Sequence, residues 1–223
     1  METSAMEAIK TSEISQAKAG ESVLLPEVAQ TPSPAERRIP DVFIYEMRRG
    51  KPIYYRGYEE CLDNPTMTEK CMGSSVYQSL IISAVMKYLF QRLPDTYEPL
   101  TNELGVLLGK NDWRSADIAI CERAQILGIP KDAHNKYLNF APKTVIEVDT
   151  KADTRDFSSV VDYYADKTDD LLNFGVERVV WIFTGTRKIM TASKGAPWQI
   201  TDWSVRVEII EGLALSLERD LNL

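Results

Sequence analysis

TVIEVDTKAD, residues 144–153, decides how this chain is read. Thr144, Val145, Ile146 and Val148 are residue types that pack well on a pleated surface. Glu147 and Asp149 fall at alternate positions among them. Side chains alternate across a strand, so the spacing predicts both carboxylates on one face. Two carboxylates on one side of a strand repel each other, and a cation beside them relieves that repulsion.

Outward from this strand, the punctuation sorts the chain into helices and strands. VFIYE (42–46), the turn RRGKP (48–52) and PIYYRG read as a hairpin over 42–57. SSVYQSLIISAVMKYLFQRL (74–93) carries apolar residues at helical spacing, with Ser74 or Ser75 as N-cap and Pro94 as the stop. ELGVLLG (103–109), RSADIAIC (114–121), ERVVWIFT (177–184) and RKIMTAS (187–193) read as strands. DFSSVVDYYADKTDDLLNFG (156–175) reads as a helix ended by Gly175. WSVRVEII (203–210) and ALSLERDL (214–221) close the domain. Strands interleaved with helices predict an α/β or α+β sheet with helices packed on it. Residues 1–38, rich in Ala, Ser, Glu, Thr and Pro, read as a disordered tail, leaving 39–223 as a single domain.

The chain has 223 residues and a formal net charge of −7. That balance argues against a protein that coats nucleic acid constitutively, which is normally basic. It is compatible with a locally acidic site that holds a cation. No apolar run reaches the roughly 20 residues of a membrane span, and METSAMEAIKTSEISQAKAGES lacks the apolar core of a secretory signal. Cys61, Cys71 and Cys121 show no C-x-x-C spacing and read as buried free thiols of a cytoplasmic protein. The single His134 sits in the polar stretch KDAHNKY and reads as a surface residue.

Three positions converge on one chemistry. Asp117 lies within the strand SADIAIC, on the same face as Ala119. Glu147 lies on the next major strand. In the helix, Val160, Tyr164, Lys167 and Leu171 share one stripe, which sets Lys167 apart from the outer acids Asp162, Asp166, Asp169 and Asp170. A lysine in an apolar stripe needs a carboxylate partner or a path to water. Strand acids meet that need as well as a metal's. For each residue alone, an ion pair or a solvated face is the commoner explanation of the charge.

The ordered series APKTVIEVDT, Lys167, Leu171 and GVERVVWIF resembles the Uma-type restriction endonuclease family of the PD-(D/E)XK nuclease superfamily, a family abundant in cyanobacteria. YEMRRGKP resembles its opening hairpin through Glu46 and Gly50, and EGLALSLERDL resembles its closing segment. The likeness spans about 42–221. It departs from the pattern at Ala116 for a proline, at Thr150-Lys151 for Ser-Pro, at Gln78 for a histidine and at Leu171 for an aromatic residue.

The resemblance implies a restriction-endonuclease-like mixed β-sheet flanked by helices, with an N-terminal hairpin. It implies Mg²⁺-dependent hydrolysis of DNA phosphodiesters, with Mn²⁺ able to substitute. Asp117 and Glu147 would ligate the metal, with the Val148 backbone carbonyl as a third ligand, and Lys167 would be the catalytic lysine. Glu46, Gln78 and Asp149 would support the site, Asp149 as a further ligand or as a partner for Lys151. Lys151 is a rival for the lysine role. For DNA contacts the local basic groups are Arg48, Arg49, Lys51 and Arg56 of the opening hairpin, which read more simply as solvated turn charges, and the superfamily's dimers imply a homodimer that addresses two strands. The other reading is a catalytically inactive binding or assembly module on the same fold.

Overall fold

The computed structural model of the protein describes residues 38–63, 72–134 and 136–223. The tail expected over 1–38 lies outside them, Arg38 excepted, and so does Cys71. The expected hairpin is present as β1 (Ile44–Arg48) and β2 (Lys51–Tyr54), with Arg48 paired to Lys51. Its two turn residues, Arg49 and Gly50, both have positive φ (48° and 80°). That is the two-residue turn whose twist matches the flanking strands. A short helix, α1 (Tyr58–Asp63), follows.

Helix α2 (Val76–Arg92) starts where Ser75 Oγ accepts from Gln78 N–H, at 3.0 Å. Ile81, Val85 and Leu89 form its buried stripe. β3 (Tyr97–Gly109) and β4 (Asp112–Glu122) then make a long antiparallel hairpin. β3 begins earlier than its apolar run suggests, because it stays paired to β4 back to Tyr97–Glu122. α3 (Arg123–Leu127), β5 (Thr144–Val148) and α4 (Val160–Phe174) come next, then β6 (Arg178–Phe183) and β7 (Lys188–Ser193). Of the stretch read as one strand at 203–210, only Val207–Ile210 is strand. β8 (Gln199–Asp202) pairs with β7, Trp203 turns inward, and β9 (Val207–Ile210) pairs with β10 (Leu213–Leu215). α5 (Leu217–Leu221) ends the chain.

The main sheet runs β2-β1-β4-β5-β6-β7-β8, with β3 also paired to β4. Only β5 and β6 run parallel, with α4 between them in sequence; every other pair is antiparallel. Two apolar layers cover the sheet. Ile118, Ile120, Ile146, Val148 and Val180 face the α2 side with Ile81 and Leu89. Ala119, Val145, Val179 and Trp181 face the α4 side with Tyr163 and Leu171. Trp181 Nε1 donates to Thr168 Oγ1 at 2.9 Å, so the large ring is buried without stranding its N–H.

Gly175 closes α4 at φ +121°, and a Cβ there would lie 3.3 Å from Ala141 Cβ. Gly175→Ala is therefore expected to lower stability by about 1–3 kcal/mol, read as a lower midpoint in urea with an unchanged slope. Among the cysteines, Cys121 is a buried free thiol, whereas Cys61 is disulfide-bonded, which corrects the expectation of three free thiols. His134 is exposed, its Nε2 3.1 Å from Ile129 O. No helix among the described residues is long and apolar enough to cross a membrane.

Candidate active site

β4 has two neighbours along one edge. β1 meets it at Trp113, and β5 meets it at Ile118–Ile120. The edge forks between those contacts, and Ser115–Asp117 lie in the fork. Ile118 pairs with Ile146 in antiparallel register, so one step further along each strand Asp117 stands opposite Glu147. Alternation turns both side chains to the α4 face. Asp117 Oδ2 accepts from Val148 N–H at 2.7 Å, which fixes that carboxylate against β5.

Lys167 descends from α4 into this fork. Its Nζ lies 2.8 Å from Glu46 Oε1 and 3.0 Å from Glu147 Oε2. Lys167 and Glu46 are 0% exposed and Glu147 is 1% exposed, so this is a buried cluster. The ammonium also sits 5.6 Å from the Tyr45 ring centre and 5.4 Å from that of Trp181, within cation–π range. Burial pulls the lysine's pKa down, but Glu147, Glu46 and their neighbours outweigh it and hold the amine protonated well above its ordinary range. Burial pushes the Glu147 carboxyl well up, with Lys167 opposing. Asp117 is also raised by burial, against the pull of the Val148 N–H and of Lys167 and Lys151.

Glu46 is held from several sides. Oε2 accepts from Arg114 Nη1 at 3.0 Å and from Tyr163 OH at 3.1 Å, and Oε1 accepts from Ser115 N–H at 3.2 Å. Arg114, 0% exposed, extends from Glu46 to Asp166 and Asp170 of α4. Asp166 and Asp170 are thus not outer acids as the helical wheel suggested. They bind Arg114 together with Arg48 and Arg49, and tie α4 to β1 and β4. Nothing in the local sequence marks Arg114 for this task. The available signal is an arginine inside a buried strand opposite a helix rich in aspartate.

The remaining expected residues fall as follows. Gln78 reaches the strand from the opposite face: its Nε2 donates to Val148 O at 2.8 Å, which takes one lone pair of the carbonyl expected as a metal ligand. Asp149 is not a strand residue. β5 ends at Val148 and Asp149 adopts φ +56°, so the alternation that put it beside Glu147 stops one residue short. Its two oxygens accept from Thr184 N–H (2.9 Å) and Thr184 Oγ1 (2.5 Å), not from Lys151. Lys151 pairs with Glu103 instead. Arg48 and Arg49 are engaged by α4 acids, Arg56 donates to Thr150 O at 2.9 Å, and Lys51 is exposed on β2.

The two strand carboxylates suit a hard cation. Glu147 Oε1 is buried and has no hydrogen-bond partner among the described residues. Among the described residues Asp117 gives only Oδ2 to a protein donor. Among the described residues no group of three or more His, Cys, Asp or Glu side chains is set to hold a metal. Mg²⁺ does not need one, since it commonly takes one or two carboxylates and completes its shell with water and substrate phosphate.

No protein-family model matches the sequence, and no curated protein does. Among solved structures the chain is similar to a crystal structure from Anabaena variabilis described as "a putative nuclease belonging to DUF820". The TM-score is 0.58 at 14% identity, over 79% of this chain and 89% of that one. The two proteins share a fold. It is a restriction-endonuclease-like mixed sheet flanked by helices, as the sequence series implied. At this identity the likeness carries the architecture alone, and the chemistry has to be argued from the cluster itself.

Proposed function

We propose that this protein is a metal-dependent endonuclease that hydrolyses DNA phosphodiesters at the β4–β5 fork. The observation that supports this most is the meeting of Asp117, Glu147 and Lys167 on one face of a nuclease-type sheet, with a buried Glu147 oxygen that has no hydrogen-bond partner among the described residues. The resemblance to the Uma-type series brings the same three residues into one site, with Lys167 in the lysine role.

Asp117 and Glu147 would hold Mg²⁺ or Mn²⁺, which when bound supplies Lewis acidity and an activated water. In the hydrolysis, a water oxygen bonds to phosphorus, the ester bond to one sugar oxygen breaks, and that oxygen takes up a proton. The chain's own groups prepare the site. Lys167 is enclosed between Glu46 and Glu147, so it acts through Glu147 as a positioning residue. Its ammonium opposes the burial that pushes the Glu147 carboxyl up and holds one Glu147 oxygen at 3.0 Å. Gln78 fixes the strand from behind, and Val148 N–H fixes Asp117.

A specific observation favours a second reading. Glu46, Glu147 and Lys167 are at most 1% exposed, as in a charge cluster that only holds helix to sheet. On that reading the protein is an inactive module with a nuclease fold. Plasmid incubated with Mg²⁺ separates the two. The active reading expects nicking that EDTA abolishes and that Asp117→Asn lowers at least about 100-fold, the scale of losing a main electrostatic contributor. Equal nicking by the variant, or none by the wild type on several substrates, supports the inactive module.

A further inference from the structure

β3 carries an irregularity where it passes Asp117. Its register with β4 steps from Thr101–Ile118 to Leu104–Ala116, so Asn102 and Glu103 together oppose the single residue Asp117. Both have positive φ, 83° and 52°. Glutamate is uncommon in that region, and bulges of this kind collect beside functional sites, where they re-aim a side chain. Here the side chain re-aimed is that of Glu103. Oε2 accepts from Tyr55 OH at 2.6 Å, and Oε1 meets the Lys151 ammonium.

Lys151 is placed with equal care. The segment after β5 is fastened to the end of the opening hairpin: Arg56 N–H donates to Lys151 O at 2.7 Å and Asp153 N–H to Tyr54 O at 2.8 Å. Lys151, Arg56, Gln78, Ser75, Asp149 and Thr150 surround an open pocket of about 230 Å³. It begins at the C-terminal end of β5, just past Glu147. Arg56 is exposed, and one of its nitrogens is engaged by Thr150 O. Asp149, the carboxylate among these six, has both oxygens on Thr184. The pocket is lined by two cations, Arg56 and Lys151, and by one carboxylate, Asp149, whose hydrogen bonds go to the neutral donors of Thr184. The acid paired with Lys151, Glu103, reaches it from the bulge.

The contrast with Lys167 is sharp. Lys167 is wholly enclosed by two glutamates, whereas the side chains of Lys151 and Glu103 are 10% and 28% exposed.

We propose that the pocket between Arg56 and Lys151 binds a phosphate of the nucleic-acid strand, and that Glu103 occupies Lys151 until that phosphate replaces it. This rests on the nucleic-acid reading of the site. Phosphate and the Glu103 carboxylate are both oxyanions and compete for the same ammonium. Tyr55 and the bulge hold Glu103 in place when it is released.

The proposal sets two substitutions against each other. Lys151→Met and Glu103→Gln break the same ion pair, so a purely structural role moves both variants in one direction. A phosphate contact moves them oppositely. Binding of a labelled DNA duplex, followed by fluorescence anisotropy across a salt series in EDTA, reads the difference. Lys151→Met is expected to bind more weakly, with a salt slope shallower by about 0.9, the value of one phosphate contact on duplex DNA. Glu103→Gln is expected to bind more tightly than the wild type, and Lys151→Arg to retain binding. Urea midpoints confirm that the compared proteins are folded. The proposal is overturned if both variants shift affinity in one direction, if Lys151→Met keeps the wild-type slope, or if the wild type does not bind. Cleavage in Mg²⁺ judges hydrolysis separately. The opposed binding pattern without cleavage removes the nuclease reading and leaves the phosphate pocket. Cleavage with the two variants behaving alike does the reverse.

Discussion

Lys167→Met unfolds at a much lower urea concentration than the wild type, with an expected loss of about 3–5 kcal/mol. The ammonium lies between Glu46 and Glu147, and all three groups are at most 1% exposed. Methionine fills a similar volume, so packing changes little. What remains is two carboxylates facing each other in a dry site. Glu46 keeps Arg114, Tyr163 and Ser115, but Glu147 loses its cation. Glu147→Gln added to Lys167→Met is therefore expected to restore part of the loss, about 0.5–3 kcal/mol of coupling for groups in contact. Additive losses in the double variant would show that the two residues do not act as a pair.

Arg114→Met carries the second large effect, again of about 3–5 kcal/mol. Arg114 is 0% exposed and joins Glu46 to Asp166 and Asp170. Its removal strands Glu46 on one side and leaves the two aspartates to the more exposed Arg48 and Arg49. Surface pairs of that kind contribute little on their own. Because Arg114 anchors the helix that carries Lys167, loss of cleavage should accompany loss of stability even under conditions where the variant is folded. Urea denaturation and a nicking assay on the same preparation measure both. A variant with wild-type midpoint and wild-type nicking would contradict the anchoring role.

Much of the site is legible in the chain because its logic is periodic. Asp117 and Glu147 sit in strands where alternation fixes the face, and Lys167 sits in a helix where the 3.6-residue repeat does the same. The parts that escape are not periodic. Asp149 leaves the strand pattern through a left-handed backbone that a non-glycine residue does not advertise. Glu103 reaches Lys151 only because a bulge adds a residue to β3, and single-strand patterning does not register an inserted residue. Arg114, Asp166 and Asp170 meet across 52 and 56 positions of sequence, so no window of chain shows them as partners. Asp166 and Asp170 are the clearest case. The helical wheel assigns them to the solvent side, and a buried arginine from another element reverses that assignment.

The fork explains why these residues meet at all. β4 gives one edge to both β1 and β5, and where they part the backbone of Ser115–Asp117 is left to side chains. Glu46 comes from β1, Glu147 from β5 and Lys167 from α4, so three elements converge on the gap. Their charges neutralise one another only in part, since Asp117 adds a third carboxylate. On the proposed metal-dependent reading, a bound divalent cation would offset that excess.

Calorimetric titration of Mn²⁺ into the wild type and Glu147→Gln tests this most directly. The expected result is one saturable site in the wild type that is lost in the variant while its far-ultraviolet circular dichroism is unchanged. No saturable binding by the wild type, or the same isotherm from both proteins, would contradict a cation site built on Asp117 and Glu147.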